Sequence, residues 1–255
     1  IVGRDPRLMQ TIRTTGINMG GTMTGYQLRK YATGDLDLLE LQGNDMPLFR
    51  LAEVFLNYAE AKAELGTLTQ DDLDNSVNKL RQRVAMPDLN MADANANPDP
   101  YLCSSTTGYV NVSGDNKGVI LEIRRERGIE LIMEGFRYYD LMRWKEGQCI
   151  AQPMEGIYIP DGKINQAYDL DGDGNNDVCF YNMDSQPDFG DISYVQISKQ
   201  ADGVTTLTEG TKGNLRLYNN IDRTWNEERD YLYPVPRQEI TLSNGVVTQN
   251  PGWEE

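Results

Sequence analysis

The chain has 255 residues, 39% hydrophobic and 25% charged, an ordinary globular balance and long enough to bury a sizeable core. With 39 Asp and Glu against 24 Lys and Arg, its formal charge of −15 disfavours phosphate backbones and anionic lipid as partners. The absence of histidine removes the commonest general base and zinc ligand, and no apolar run is long enough to mark a membrane span.

The opening, IVGRDPRLMQ, carries neither a start methionine nor an apolar export segment, so residue 1 is expected to begin a fragment or a processed product. The first helical pattern is PLFRLAEVFLNYAEAKAELG, residues 47–66, where Leu48, Leu51, Phe55, Tyr58, Ala59 and Lys62 step by threes and fours along one face. Pro47 suits a first turn and Gly66 a stop. DDLDNSVNKLRQRVAMP repeats the pattern through Leu73, Val77, Leu80 and Val84 and ends at Pro87. The short GTLTQ between them predicts an antiparallel helix pair.

Residues 88–117, rich in Asn, Asp, Ser, Gly and Pro, read as a long surface excursion. GVILEIRRERGIELIMEGFRYYDLMRWKEG follows, predicting a helix near 118 to 134 and a second, or a continuation, to about Trp144, with Gly128 and Gly135 as weak points. Its arginines, Arg124, Arg125, Arg127, Arg137 and Arg143, stand out in an acidic chain. They read either as an anion site or as ion-pair partners of Glu122, Glu126, Glu130, Glu134 and Asp140, the second being the commoner arrangement. From about 148 to 224 the chain is again loop-like, with short β-type runs at GIYIP and SYVQIS; loops this long often carry function. Cys103, Cys149 and Cys179 have no CxxC spacing and read as buried or free thiols.

Within that second long loop, DLDGDGNND puts four carboxylates into residues 169–177. Aspartates so close repel one another by ~1 kcal/mol per pair in water, which salt or a hard cation must offset. Set against an EF-hand loop, Asp169, Asp171 and Asp173 fall at the first three ligand positions, Gly174 at the sharp turn, Asn175 at the carbonyl ligand and Asp177 at the next. The final bidentate glutamate is replaced by Phe180, so Asp184 or water is needed to complete the shell. A structural calcium ion, holding the loop in one shape, is the expectation.

PLFRLAEVFLNYAEAKAELG, VNKLRQRVAMP, LEIRRERGIELIMEGFRYYDLMRW and YLYPVPRQEITLSNGVVTQNPGW, in that order, resemble the C-terminal half of the SusD/RagB family of outer-membrane nutrient-binding lipoproteins. The earlier RDPRLMQTI and TGYQLRKYA fit the same order. The resemblance implies a mainly α fold: a SusD-like helical scaffold of tetratricopeptide-like helix pairs with long loop insertions containing minor β. It implies one SusD-like C-terminal region over 1–255, with a helical core at about 47–87 and 118–145, insertions at about 88–117 and 148–224, and a terminal segment at 230–255. The resemblance also implies that the family's N-terminal half, with its lipidated cysteine, is expected to lie outside these 255 residues. Glu134, Gly135, Phe136, Arg137, Tyr139, Asp140, Arg143 and Trp144 match the family's signature helix, where the resemblance implies scaffold packing.

The function so implied is capture of a glycan at the surface of a Bacteroidetes-type outer membrane and its delivery to a SusC-like TonB-dependent transporter. The protein would not be an enzyme, and would meet the membrane only through a lipid anchor outside this chain. Sugars need flat aromatic faces and polar groups. Tyr101, Tyr109, Tyr158 and Trp225, in or beside the long loops, are the candidate ligand residues. Alternatives are a peptide binder of the same family and, in a different class, a helical-repeat adaptor for another protein's segment. Catalysis by a carboxylate pair is a further reading, though nothing in the sequence singles out a pair.

Overall fold

The computed structural model describes residues 4–14, 24–31, 45, 47–170 and 172–254. The region expected as one over 1–255 packs as two compact units. Described residues within Ile1–Phe49, Val84–Met86 and Pro153–Asp222 make a sheet unit, and those within Arg50–Arg83, Pro87–Gln152 and Arg223–Glu255 a helical one.

In the sheet unit a single helical turn, α1 (Leu8–Thr11), runs into β1 (Ile12–Thr14), which pairs antiparallel with β2 (Tyr26–Leu28). β3 (Met154–Ile159), β8 (Gly213–Leu217) and β7 (Thr205–Leu207) form an antiparallel sheet in that order. A second sheet has the order β4 (Gln166–Tyr168), β5 (Val178–Tyr181), β6 (Ser193–Gln196), with β5 and β6 parallel. Ile157, Ile159, Val178, Phe180, Ile197, Leu215 and Leu217 are buried together between them. Residues 148–224 are therefore far less loop-like than their composition suggests. The strands are short, and β5 is buried at every position, so the alternation that announces a half-exposed strand is missing.

The helical unit begins with α2 (Leu51–Glu64), α3 (Gln70–Asp74) and α4 (Val77–Arg83). Lys62, near the end of α2, reaches Asp72 in α3 at 2.9 Å, while Arg50, at the start of α2, shares Glu130 with Arg83 at the end of α4. The chain thus doubles back as expected. A capping box starts α3: Asp72 N donates to Thr69 Oγ1 and Thr69 N to Asp72 Oδ2, at 3.2 and 2.8 Å. Hydrogen bonds from Lys62, Tyr58 and Thr69 hold the Asp72 carboxyl well below the usual carboxylate range. The single helix expected through Leu73 and Leu80 is broken between α3 and α4. There Asn75 and Ser76 turn their side chains back onto the carbonyls of Asp71 and Asp72, competing with the helical ladder.

The apolar face of α2 needs correction. Leu48, Leu51 and Tyr58 are exposed, whereas Ala52, Leu56, Ala59 and Ala63 are buried. Two apolar stripes run along this helix, and the alanine-rich one faces the core because small side chains let α7 (Lys117–Glu130) approach closely. Residues 88–117 contain two short helices, α5 (Met91–Ala96) and α6 (Pro100–Cys103), and bury Leu89, Leu102, Tyr109 and Val112. They are a polar-looking cover over the core rather than a free excursion. α7 ends at Glu130, and α8 (Phe136–Arg143) starts at Gly135, whose φ of +82° only glycine adopts freely. A 3-10 turn at Gly147–Ala151 and a last helix, α9 (Arg237–Leu242), complete the unit. No helix among the described residues is long and apolar enough to cross a membrane.

Candidate functional site

The break between α7 and α8 is built by charge. Arg50 donates to Glu134 through Nε and Nη2, at 2.7 and 2.6 Å, and to Glu130 Oε1 through Nη1 at 2.6 Å. Burial lowers the Arg50 pKa, but the hydrogen bonds and charges of Glu134 and Glu130 outweigh it and leave it raised. Arg127 Nε reaches Asp140 Oδ2 at 2.7 Å and pins α8 to α7. Asp140 also accepts from Arg143, whose Nη2 lies 2.7 Å from Glu60 Oε2, and Trp144 Nε1 donates to Glu60 Oε1 at 2.5 Å. Burial pushes the Glu60 carboxyl up, but Arg143 and Trp144 bring it below its ordinary value. The turn so fixed places Met133 at φ +62°, strained for a side chain with a Cβ, and leaves it exposed.

A cavity of about 440 Å³ opens beside this turn. Arg125, Arg127 and Gly128 of α7, Ile132 and Met133 of the turn, and Phe136, Arg137 and Asp140 of α8 line it on one side. Tyr101 and Leu102 of α6, Thr107 and Tyr109 line it on the other. Tyr101 is exposed, because Pro100 and the Asp99 cap, which accepts from Tyr101 N at 2.8 Å, hold α6 at the surface.

Tyr109, expected to offer a ring to a sugar, is only 5% exposed. Its ring stands edge-on to Trp144 at 5.6 Å, with the guanidinium carbons of Arg124 and Arg137 at 5.6 and 5.3 Å from its centroid. The hydroxyl accepts from Arg137 Nη1 at 2.8 Å. Burial raises the Tyr109 pKa against the opposing charge of Arg137, so this residue is a wall and an anchor, not a platform. Trp225 is half-buried, edge-on to Tyr231 at 5.0 Å and against Gly147, where a Cβ would lie 2.1 Å from the indole. Tyr158 is exposed on β3, in the sheet unit. Of the four aromatic candidates, the cavity brings together Tyr101 and Tyr109.

Sequence reasoning favoured ion pairing for the arginines, and for four of the five it is correct. Arg124 meets Glu64 and Glu146, Arg125 meets Asp99 and Glu122, Arg127 meets Asp140, and Arg143 meets Glu60 and Asp140. Arg137 differs: among the described residues no carboxylate pairs with it, and an equal number of arginines and acids in this stretch gave no signal that it would be left out. Cys103 and Cys149 are half-buried and Cys179 buried, all free; burial pushes the Cys149 and Cys179 thiols up, away from reactivity.

In the 169–177 loop the described aspartates fold the backbone around themselves. Asp169 accepts from Gly172 N and Gly174 N at 2.7 and 2.9 Å, Asp173 from Asn175 N at 2.7 Å, and Asp177 from Leu170 N at 2.8 Å. Gly172 and Gly174 sit at φ +81° and +92°. Asp171 lies outside the described residues. Asp184, expected to complete a shell, pairs with Lys199 at 2.7 Å, and Phe180 is fully buried in β5. Among the described residues, no three acidic, cysteine or histidine side chains are placed to hold a metal ion.

The family model for SusD, SusD_RagB, matches residues 7–253, nearly the whole chain. The chain belongs to the SusD family. A SusD-like protein of Bacteroides fragilis NCTC 9343 is 23% identical, with a TM-score of 0.55 over 98% of this chain and 39% of its own. The selenomethionine form of a protein named BT4246 is also 23% identical, with a TM-score of 0.52 over 98% of this chain and 38% of its own. Both share the fold, and this SusD-family chain spans about two-fifths of their length. None of the curated proteins compared with the chain matches it.

Proposed function

We propose that this chain is the glycan-binding part of a surface nutrient-capture protein, held at the outer membrane by a lipid anchor and handing its ligand to a SusC-like TonB-dependent transporter. The observation that carries the reading is the SusD-family match over residues 7–253, and the cavity beside the α7–α8 turn supplies the chemistry. Its volume suits a small ligand, Tyr101 offers an exposed ring, and Met133 and Ile132 give apolar surface beside guanidinium donors. Capture rather than hydrolysis is supported by the state of its one lining carboxylate. Asp140 is engaged by Arg127 and Arg143, so the cavity offers no free acid pair for glycosidic chemistry. The test is electrophoresis of the chain through gels containing a panel of host and plant glycans. One glycan is expected to retard it and to be recovered uncleaved; retardation by none would remove the reading.

Calcium at the 169–177 loop belongs to the same proposal, as a structural ion. Asp169, Asp171, Asp173 and Asp177, with the carbonyl of Asn175, are hard oxygen donors of the type calcium takes, and glycines already give the backbone its tight turn. Affinities of external calcium modules, roughly 0.1–1 mM, imply a gain of about 1.4–2.7 kcal/mol at ten millimolar calcium. Thermal melting with calcium is expected to occur several degrees above melting in chelator. Coincident midpoints would show that the loop is a solvated turn.

A further inference from the structure

We infer that the cavity beside the α7–α8 turn takes the carboxylate of an acidic sugar on the outer edge of Arg137. The inference rests on the glycan reading above and narrows its ligand class. In a chain where acids outnumber bases by 39 to 24, the cavity is lined by three arginines, Arg125, Arg127 and Arg137, against one acid, Asp140. With Asp99 and Glu122, which pair with Arg125, counted in, the site is balanced where the chain as a whole is strongly acidic. Two of those cations are already spent: Arg125 on Asp99 and Glu122, Arg127 on Asp140 and Asn57. Arg137 is exposed, and among the described residues its one hydrogen bond is from Nη1 to the Tyr109 hydroxyl, a neutral acceptor.

A guanidinium carries five N–H donors in a planar fork, so the Nε and Nη2 edge of Arg137 remains for a ligand. That edge matches a carboxylate in two parallel, charge-assisted bonds, whereas a neutral hydroxyl presents a single uncharged oxygen. Tyr109 fixes the fork in place, since its ring is locked against Trp144 and its hydroxyl holds Nη1. The exposed ring of Tyr101 and the apolar side chain of Met133 line the same cavity and suit the C–H face of the sugar that bears the acid.

The decisive comparison needs no variant. Calorimetry of the full chain is run with trigalacturonate, a glucuronate disaccharide and sialyllactose, each against its methyl ester, and with neutral maltotriose and xylotriose. At least one acid is expected to bind ten-fold or more tightly than its ester. Arg137→Gln is expected to erase that difference, with Arg137→Lys keeping part of it, since it restores charge without the fork. An acid and ester of equal affinity, or an intact difference in Arg137→Gln, would overturn the inference. Binding of neutral sugars alone sinks it while leaving the glycan reading in place, and binding of none sinks both.

Discussion

Replacing Glu146 with alanine is expected to lower the unfolding free energy by about 3–5 kcal/mol, the cost of leaving a buried cation without its partner. Glu146 is fully buried and accepts from Arg124 Nη1 at 3.3 Å, Gln148 Nε2 at 2.8 Å, and the backbone N–H groups of Val110 and Asn111 at 3.0 and 2.9 Å. Arg124 is 4% exposed and lies over the rings of Trp144 and Tyr109, at 4.5 and 5.6 Å from their centroids. Its only other carboxylate among the described residues is the half-exposed Glu64 at 3.3 Å. Without Glu146 that guanidinium keeps its ring contacts and loses its buried counter-charge. The double variant Arg124→Met with Glu146→Ala is expected to regain part of the loss, with a coupling of about 0.5–3 kcal/mol, because the uncompensated charge is gone. Urea midpoints of the four proteins measure this, and a cost below about 1 kcal/mol for Glu146→Ala would show that water replaces the carboxylate. The same substitution frees Val110 and Asn111, and with them the segment that carries Tyr109 into the cavity wall.

Two glycines of α7 are expected to respond with opposite signs. On helix propensity alone, alanine in place of glycine gains about 1 kcal/mol. At Gly118 a Cβ would lie 1.9 Å from the Ala94 carbonyl oxygen and 2.8 Å from Asn95 Cα, both backbone atoms of α5 that no rotamer can move aside. The contact is reinforced by the Asn95 side chain, which accepts from Val119 N at 2.8 Å. Gly118→Ala should therefore cost about 3 kcal/mol, overpacking outweighing propensity. Gly128 meets only the flexible end of Arg137, at 3.7 Å, so Gly128→Ala should be neutral or stabilising by up to about 1 kcal/mol. Thermal melts of the two variants decide it; a stabilised Gly118→Ala would mean that α5 is not held against α7.

Much of this was legible in the sequence, and the failures have physical causes. The two long helical segments, the break at Gly135 and the doubling back after α2 follow from periodicity and from glycine and loop length, which are local signals. The buried face of α2 did not, because both of its stripes are apolar and only the partner helix chooses between them. Residues 88–117 look like loop because their polar residues make caps, with Asn90 and Asp99 starting short helices over buried Leu89 and Leu102. The sheet unit was read as loops with minor β because its strands are three to six residues long and β5 shows no alternation. For the site, composition pointed to tyrosines on polar segments but gave no means to separate Tyr101, which is exposed, from Tyr109, which Trp144 and two arginines cover. The arginines carried the better clue. Five of them among as many acids looked self-sufficient, yet several of those acids are drawn off by Arg50, Arg81 and Arg83 from elsewhere in the chain.

The central claim is that the helical unit binds a glycan at the cavity where Tyr101 stands. Its most direct test is calorimetric titration of the glycan that most retards the chain in gels, into the wild type and into Tyr101→Ala. Tyr101 is 62% exposed and lies outside the core, so its truncation should leave melting unchanged. The expected result is binding to the wild type and a loss of affinity of about ten-fold, some 1.4 kcal/mol, in the variant. Equal affinity in both would place the ligand elsewhere on the molecule and contradict the site.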